Sequence, residues 1–117
     1  MKLRSLAPIA LLLLAACGPS EADRTNMKDK MDLETQRAAI WSADIKSCSK
    51  LATDSKAFNQ TNHDRHVRLA KWWDGVNKGA KGKLIAENQA VWDGQSNALV
   101  QTLMTCPNEI KASMKGE

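Results

Sequence analysis

The sequence is poor in the residues that favour strands and tight turns. Among 117 residues there is no tyrosine, one phenylalanine and three prolines. Tyrosine is a common strand residue, and no segment shows the alternation of apolar and polar residues that is typical of a half-buried strand. Apolar residues instead recur at spacings of three and four. The sequence therefore predicts an all-α protein.

A long hydrophobic run is also missing. The most apolar stretch runs for twelve residues from Leu6 to Cys17, is interrupted by Pro8 and is followed by Gly18-Pro19. About twenty residues are needed for a helix to cross the hydrocarbon core of a bilayer. The stretch is too short for a transmembrane helix, and its position at the N-terminus indicates an export signal.

The order of features in this segment carries further information. Lys2 and Arg4 precede the apolar run, and Leu14-Ala15-Ala16-Cys17 ends it. In these features the segment resembles a bacterial lipoprotein precursor. The resemblance implies cleavage before Cys17, a diacylglycerol on its thiol and a further acyl chain such as palmitate on its amino group. A plain cleaved secretory peptide is the alternative.

The resemblance also implies a location. Lipoproteins with several acyl chains are stably anchored to a membrane, and an aspartate after the lipidated cysteine retains such proteins in the inner membrane of enteric bacteria. Gly18 occupies that position. We therefore expect the outer membrane, with the periplasmic side favoured over the cell surface.

The predicted organisation has three parts. Residues 1–16 form the signal peptide, residues 17–26 comprise the lipidated cysteine and a polar, flexible tether, and residues 27–117 form one helical domain. Once Lys2 and Arg4 leave with the signal, the 15 remaining basic residues exceed the 13 acidic ones by only two. Because binding to nucleic acid requires clustered lysine and arginine, we expect no nucleic-acid partner.

The sequence contains three cysteines, and if Cys17 is lipidated, Cys48 and Cys106 remain. An even pair in an oxidising compartment usually forms a disulfide, and this one would link positions 58 residues apart. Chain-entropy arguments value such a closure at roughly 4 kcal/mol. A redox or metal-binding thiol pair is the alternative, but the sequence contains no Cys-x-x-Cys and no nearby set of ligands.

Apolar periodicity predicts three helices over residues 27–51, 63–76 and 83–106. Polar residues predict a turn-rich connector at 53–62, two glycines predict a loop at 77–82, and Pro107 ends the third helix with at most a weak turn beyond it. Gly94 is the expected place for a kink or an early break in that helix. In an up-down-up bundle the first and third helices are parallel, which would bring Cys48 and Cys106 together.

Trp72 and Trp73 are adjacent and cannot be equally buried on one helix, since neighbouring residues point about 100° apart. Trp73 shares a face with Leu69, so Trp72 is predicted to face outward. The alternative places Trp72 half covered against the loop around residues 78–83. Exposed tryptophan and arginine are typical of interface hot spots. The candidate partner-binding residues are Trp72, Arg65, Arg68 and Lys71.

Two tripeptides repeat, Trp73-Asp74-Gly75 and Trp92-Asp93-Gly94. Glycine within a helix costs up to about 1 kcal/mol relative to alanine. One interpretation is that these glycines permit close helix packing or make room for a partner. The other is that three matching letters arise by chance.

Signals for metal binding and catalysis are weak. His63 and His66 could present two imidazoles to one ion, but a site needs a third ligand and usually a fourth. The sequence contains no nucleophile elbow, phosphate-binding glycine loop or His-Glu-x-x-His motif. We expect neither an enzyme nor a metal site, cofactor or small-molecule substrate.

Two functions follow as hypotheses. The first is a membrane-anchored module that binds a periplasmic protein, in the manner of lysozyme inhibitors, immunity proteins or exclusion factors of conjugative elements. The second is a structural accessory lipoprotein that docks onto an envelope assembly or the membrane through a basic helix face, although such a run can also be a solvated surface. The basic residues concerned are Arg65, Arg68, Lys71, Lys78, Lys81 and Lys83.

Overall fold

A computed structural model describes residues 18–115, and this part of the chain contains six helices and no strand. The all-α prediction is confirmed, whereas the prediction of three helices is wrong. The predicted signal peptide and Cys17 lie outside the described residues. The helices are α1 (Glu21–Asp44), α2 (Cys48–Thr61), α3 (His63–Gly75), α4 (Lys78–Glu87), α5 (Gln89–Thr105) and α6 (Pro107–Lys115).

The first helix begins six residues earlier than predicted. The Ser20 hydroxyl accepts a hydrogen bond from the Asp23 amide, and the Asp23 carboxylate accepts one from the Ser20 amide, each at 3.1 Å. This capping box satisfies amide donors that otherwise have no partner in the first turn. Residues 21–26, which were expected to be tether, are therefore helical, and only Gly18, Pro19 and Ser20 separate Cys17 from α1.

The predicted connector at residues 53–62 is helical as well. The Ser47 side chain caps α2 by accepting from the Lys50 amide at 3.4 Å. Leu51 and Ser55 are buried, and the Asn59 side-chain amide donates to the Ser113 carbonyl of α6 at 2.9 Å. Packing against neighbouring helices thus supports a segment whose local composition favours turns.

Residues 78–82, which were predicted to form a glycine loop, belong to helix α4. Asn77 caps it by accepting from the Ala80 amide at 2.8 Å, and Ala80 and Leu84 are buried. The break in the predicted third helix falls at Asn88, whose side chain donates to the Leu84 carbonyl at 2.8 Å. Helix α5 continues through Gly94, so the helix does not break there.

Side-chain contacts give the directions of the helices. Asp23 at the start of α1 is hydrogen-bonded to Trp72 near the end of α3, and Asp44 at the end of α1 is hydrogen-bonded to Lys50 near the start of α2. Helices α2 and α3 therefore run antiparallel to α1. Met31 in the first half of α1 contacts Gln95 in the first half of α5. The Cys106 sulfur, just after α5, lies 3.8 Å from the carbonyl oxygen of Ile45, just after α1. Helix α5 therefore runs parallel to α1. After α5, α6 packs beside α2.

The core has two clusters at opposite ends of α1. Met27, Met31 and Leu84 form the first, with half-buried tryptophans around them; we call this the α3–α4 end. Trp41, Leu51, Cys106 and Ile110 form the second; we call this the disulfide end. The predicted bond between Cys48 and Cys106 is present there, with Cα atoms 5.5 Å apart.

Helices of the described range are too short or too polar to span a bilayer.

Candidate functional site

Trp72 is half-buried and bonded within the domain. Its indole Nε1 donates to the Asp23 Oδ1 atom of α1 at 3.0 Å, and its ring packs at the edge of the Met27 cluster. This hydrogen bond is the main reason that the pKa of Asp23 lies below its usual value. Trp72 is therefore half covered rather than facing outward as predicted, and residues of α1 as well as Leu84 of α4 lie against it.

Arg65 and Arg68 both bind Asp29 of α1. Arg65 Nε donates to Asp29 Oδ1 at 2.8 Å, and its Nη2 donates to the same oxygen. Arg68 Nη2 donates to Asp29 Oδ2 at 2.6 Å. The hydrogen bonds from Arg65 are the largest cause of a lowered Asp29 pKa, and those from Arg68 add to it. These bonds hold α3 against α1.

Three of the four predicted partner-binding side chains thus have structural contacts inside the domain. Lys71 is exposed on α3. A partner could still meet the outer edges of Arg68 and Lys71, so partner contact by this set stays a prediction. The geometry does not favour it, because a partner would have to compete with existing ion pairs.

The two histidines line one small pocket together with Arg37. His66 Nδ1 lies 3.3 Å from Arg37 Nη2, whereas His63 is exposed. Burial, followed by the charge of Arg37, lowers the pKa of His66. A guanidinium beside the imidazole repels a metal cation.

Cys48, Cys106 and Glu109 bring potential ligand atoms within 4.8 Å of one another. The two sulfurs are bonded to each other, so neither is a thiolate that could bind a metal. This cluster is explained by the disulfide.

The most exposed large apolar side chains on a single helix face were not identified from the sequence. Met104 is 80% exposed and Val100 is 54% exposed. They lie one turn apart on α5, together with exposed Asn97 and Gln101. We call Asn97, Val100, Gln101 and Met104 the α5 face.

A charge signal in the sequence could have found this face. No charged residue occurs between Asp93 and Glu109, and no basic residue occurs between Lys83 and Lys111, although charged residues make up 26% of the chain. Depletion of charge is typical of the core of a protein interface, and methionine adapts readily to a partner surface. The apolar periodicity of residues 83–106 predicted one buried stripe that includes Val91, but Val91 is 39% exposed.

A groove of about 200 Å³ lies between α1 and α5, lined by residues of α5 other than those of the α5 face. Gln95, Ser96 and Leu99 of α5 line one side of it, and Arg37 and Trp41 of α1 line the other. It is large enough for one or two side chains of a partner.

Other charged side chains join helices to one another. Arg24 pairs with Glu87 at 3.1 Å, and Lys50 pairs with Asp44 at 3.0 Å and with Asp54 at 2.6 Å. The pairs Arg24 with Glu87 and Lys50 with Asp44 join different helices and help to fix the bundle, whereas Lys50 and Asp54 both lie on α2.

Comparison with known proteins gives no relative: no protein-family model matches the chain, and no curated protein or solved structure matches it.

Proposed function

We propose that this protein is a lipoprotein, held at the bacterial outer membrane by acyl chains on Cys17, whose helical domain binds another envelope protein through the α5 face. The observation that carries the binding role is the α5 face itself, where Met104 is 80% exposed within a stretch free of charge. An exposed apolar surface of this kind is stabilised when a partner covers it.

The anchor rests on the N-terminal sequence, in which Leu14-Ala15-Ala16-Cys17 follows a basic start and a short apolar run. The early start of α1 is compatible with it, because a capped helix can follow the lipidated residue after only three residues. The disulfide suits an oxidising compartment such as the periplasm.

A binding role is favoured over catalysis. Several close groupings of titratable side chains within residues 18–115 are ion pairs between or within helices, such as Asp29 with Arg65 and Arg68. A side chain in such a pair is stabilised in one charge state, which opposes proton transfer at neutral pH. The proposal therefore includes no cofactor and no small-molecule substrate, and inhibitors, immunity proteins and exclusion factors are the classes it suggests.

Photocrosslinking in living cells tests the binding role. A photoreactive residue at position 104 is expected to form an adduct with one defined protein, while the same residue at position 67 is not. Val67 is the matched control, because it is 47% exposed, close to the value for Val100, but lies on α3 among charged residues. Val100→Glu should abolish the adduct at position 104, and Val67→Glu should leave it unchanged.

Helical circular dichroism and disulfide content confirm that each variant is folded. Equal adduct patterns at positions 67 and 104, or an adduct that survives Val100→Glu, would contradict binding through the α5 face. The anchor is tested separately: Cys17→Ser should eliminate incorporation of labelled palmitate and release the protein from the membrane fraction.

A further inference from the structure

The end of the domain nearest to Cys17 carries a group of lysines. We propose that this surface, formed by Lys71, Lys78, Lys81 and Lys83, lies against anionic phospholipid headgroups of the membrane that holds the lipid anchor. The inference rests on the proposed anchor at Cys17 and adds an orientation of the domain on the bilayer. We call these four residues the lysine surface.

The first step is the position of α4. Its buried Leu84 packs with Met27 in the first third of α1, and Glu87 at its end pairs with Arg24 at 3.1 Å. Lys81 Nζ lies 5.3 Å from the ring centroid of Trp73, near the end of α3. The lysines of α4 are therefore at the same end of the bundle as the start of α1.

The second step is the length of chain between this end and the anchor. Gly18, Pro19 and Ser20 are the residues between Cys17 and α1, and three residues extend at most about 10 Å. Arg24 Nη1 donates to the Pro19 carbonyl at 3.2 Å, which holds this segment against the helix. A surface charge acts over a Debye length of about 8 Å at physiological ionic strength, so an acylated Cys17 brings this end within reach of the headgroups.

The third step is the sign of the charge that side chains at the α3–α4 end present to solvent. Lys71, Lys78 and Lys83 are exposed, and Lys81 is half-exposed. Of the acidic side chains at this end, Glu87 is paired with Arg24, whereas Asp23 keeps its charge and is half-buried against Trp72. Glu21 in the first turn of α1 and Asp74 are exposed acids at this end, and the four lysines exceed these two in number. Anionic headgroups attract such a surface.

This orientation directs the α5 face away from the bilayer. Met104 lies two residues before Cys106 at the disulfide end, and fifteen residues of α5 separate it from Gln89. At 1.5 Å per residue this separation is about 22 Å along the helix. One end of the domain would rest on lipid while the other is open to a protein partner.

The test uses the lipidated protein, purified from membranes and reconstituted into vesicles of phosphatidylcholine alone or with phosphatidylglycerol. Flotation of the vesicles reports anchoring, and mass spectrometry reports the rate at which an amine reagent acetylates each lysine. A surface potential of about −30 mV keeps an amine protonated and should slow its acetylation about threefold. We expect this slowing at Lys71, Lys78 and Lys83 in anionic vesicles only, with reversal in high salt.

Lys46, Lys56 and Lys111 are exposed residues of other parts of the domain and serve as internal controls. The triple variant K78E/K81E/K83E should remain anchored and lose the slowing at Lys71, while K46E/K56E/K111E should keep it. Flotation with equal acetylation in both kinds of vesicle would overturn the inference and leave the anchor intact. Failure to float would overturn the proposed anchor and the inference with it.

Discussion

Asp29 accepts hydrogen bonds from two arginines of α3, and this makes it a sensitive point in the packing of α3 on α1. Because the carboxylate is partly exposed, we expect Asp29→Asn to lower the free energy of unfolding by only about 1 kcal/mol at neutral pH. Asp32→Asn removes an exposed carboxylate from the same helix and should have little effect. Urea denaturation followed by circular dichroism measures both.

The pH dependence has a definite sign. The pKa of Asp29 is lower in the folded protein than its ordinary value of 3.8, so the unfolded chain binds the proton more readily. The stabilisation is therefore complete above pH 3.8 and is lost as the pH falls through the lower, folded value. Asp29→Asn should flatten the acid limb of the stability curve, and a limb as steep as that of the wild type would refute this role.

Glycines at positions 82 and 94 lie within helices without a close neighbour. A Cβ atom built at either position meets nothing within 4 Å, so neither glycine is needed for close helix packing. Gly82→Ala and Gly94→Ala should each raise the free energy of unfolding by about 0.5–1 kcal/mol. A thermal melt measures this, and a lower melting temperature for either variant would contradict it.

Gly94 also bears on the repeated Trp-Asp-Gly tripeptides. Gly94 is exposed on α5, one turn before the α5 face, so a partner that approaches the backbone closely would be hindered by Gly94→Ala. Gly82→Ala, on α4, is the matched control for crosslinking at position 104. If both variants retain the adduct, the repeat has no role in partner binding through this face.

At the scale of the element, caps decide where helices begin. Asn77 begins α4 directly before a stretch that contains two glycines. We expect Asn77→Ala to reduce stability by about 1 kcal/mol, whereas Asn77→Ser, which keeps a capping oxygen, should cost much less. Chemical denaturation of the two variants measures the difference, and equal losses would mean that the side-chain cap does not hold α4.

Element boundaries were the part of the fold that local patterns predicted least well. Serine, threonine and asparagine in residues 53–62 favour turns in isolation, but burial of Ser55 and the bond from Asn59 to α6 support a helix. Pro107 did end α5, as its chemistry requires, and then occupied the first position of α6, where a missing amide costs nothing. A local signal is reliable where it forbids a conformation and weaker where it only favours one.

At the scale of the whole molecule, the bond between Cys48 and Cys106 ties the start of α2 to the end of α5. It restricts an unfolded chain across 58 residues, so we expect the double variant C48S/C106S to lose up to about 4 kcal/mol of stability. Guanidinium denaturation of the variant, and of the wild type with and without reductant, measures the loss. A difference under about 1 kcal/mol would show that helix packing alone holds the two ends together.

The sequence by itself determined the helical class and the cysteine pair. Helical periodicity and the absence of strand patterns are local properties, and once Cys17 is assigned to the lipid anchor the other two cysteines leave one pairing. The tertiary structure decided that there are six helices, that Trp72 packs on α1 and that Met104 is exposed. These outcomes depend on which residues distant in sequence cover one another. The charge-free stretch around Met104 pointed to an unusual face, but helical periodicity does not distinguish an exposed apolar stripe from a buried one.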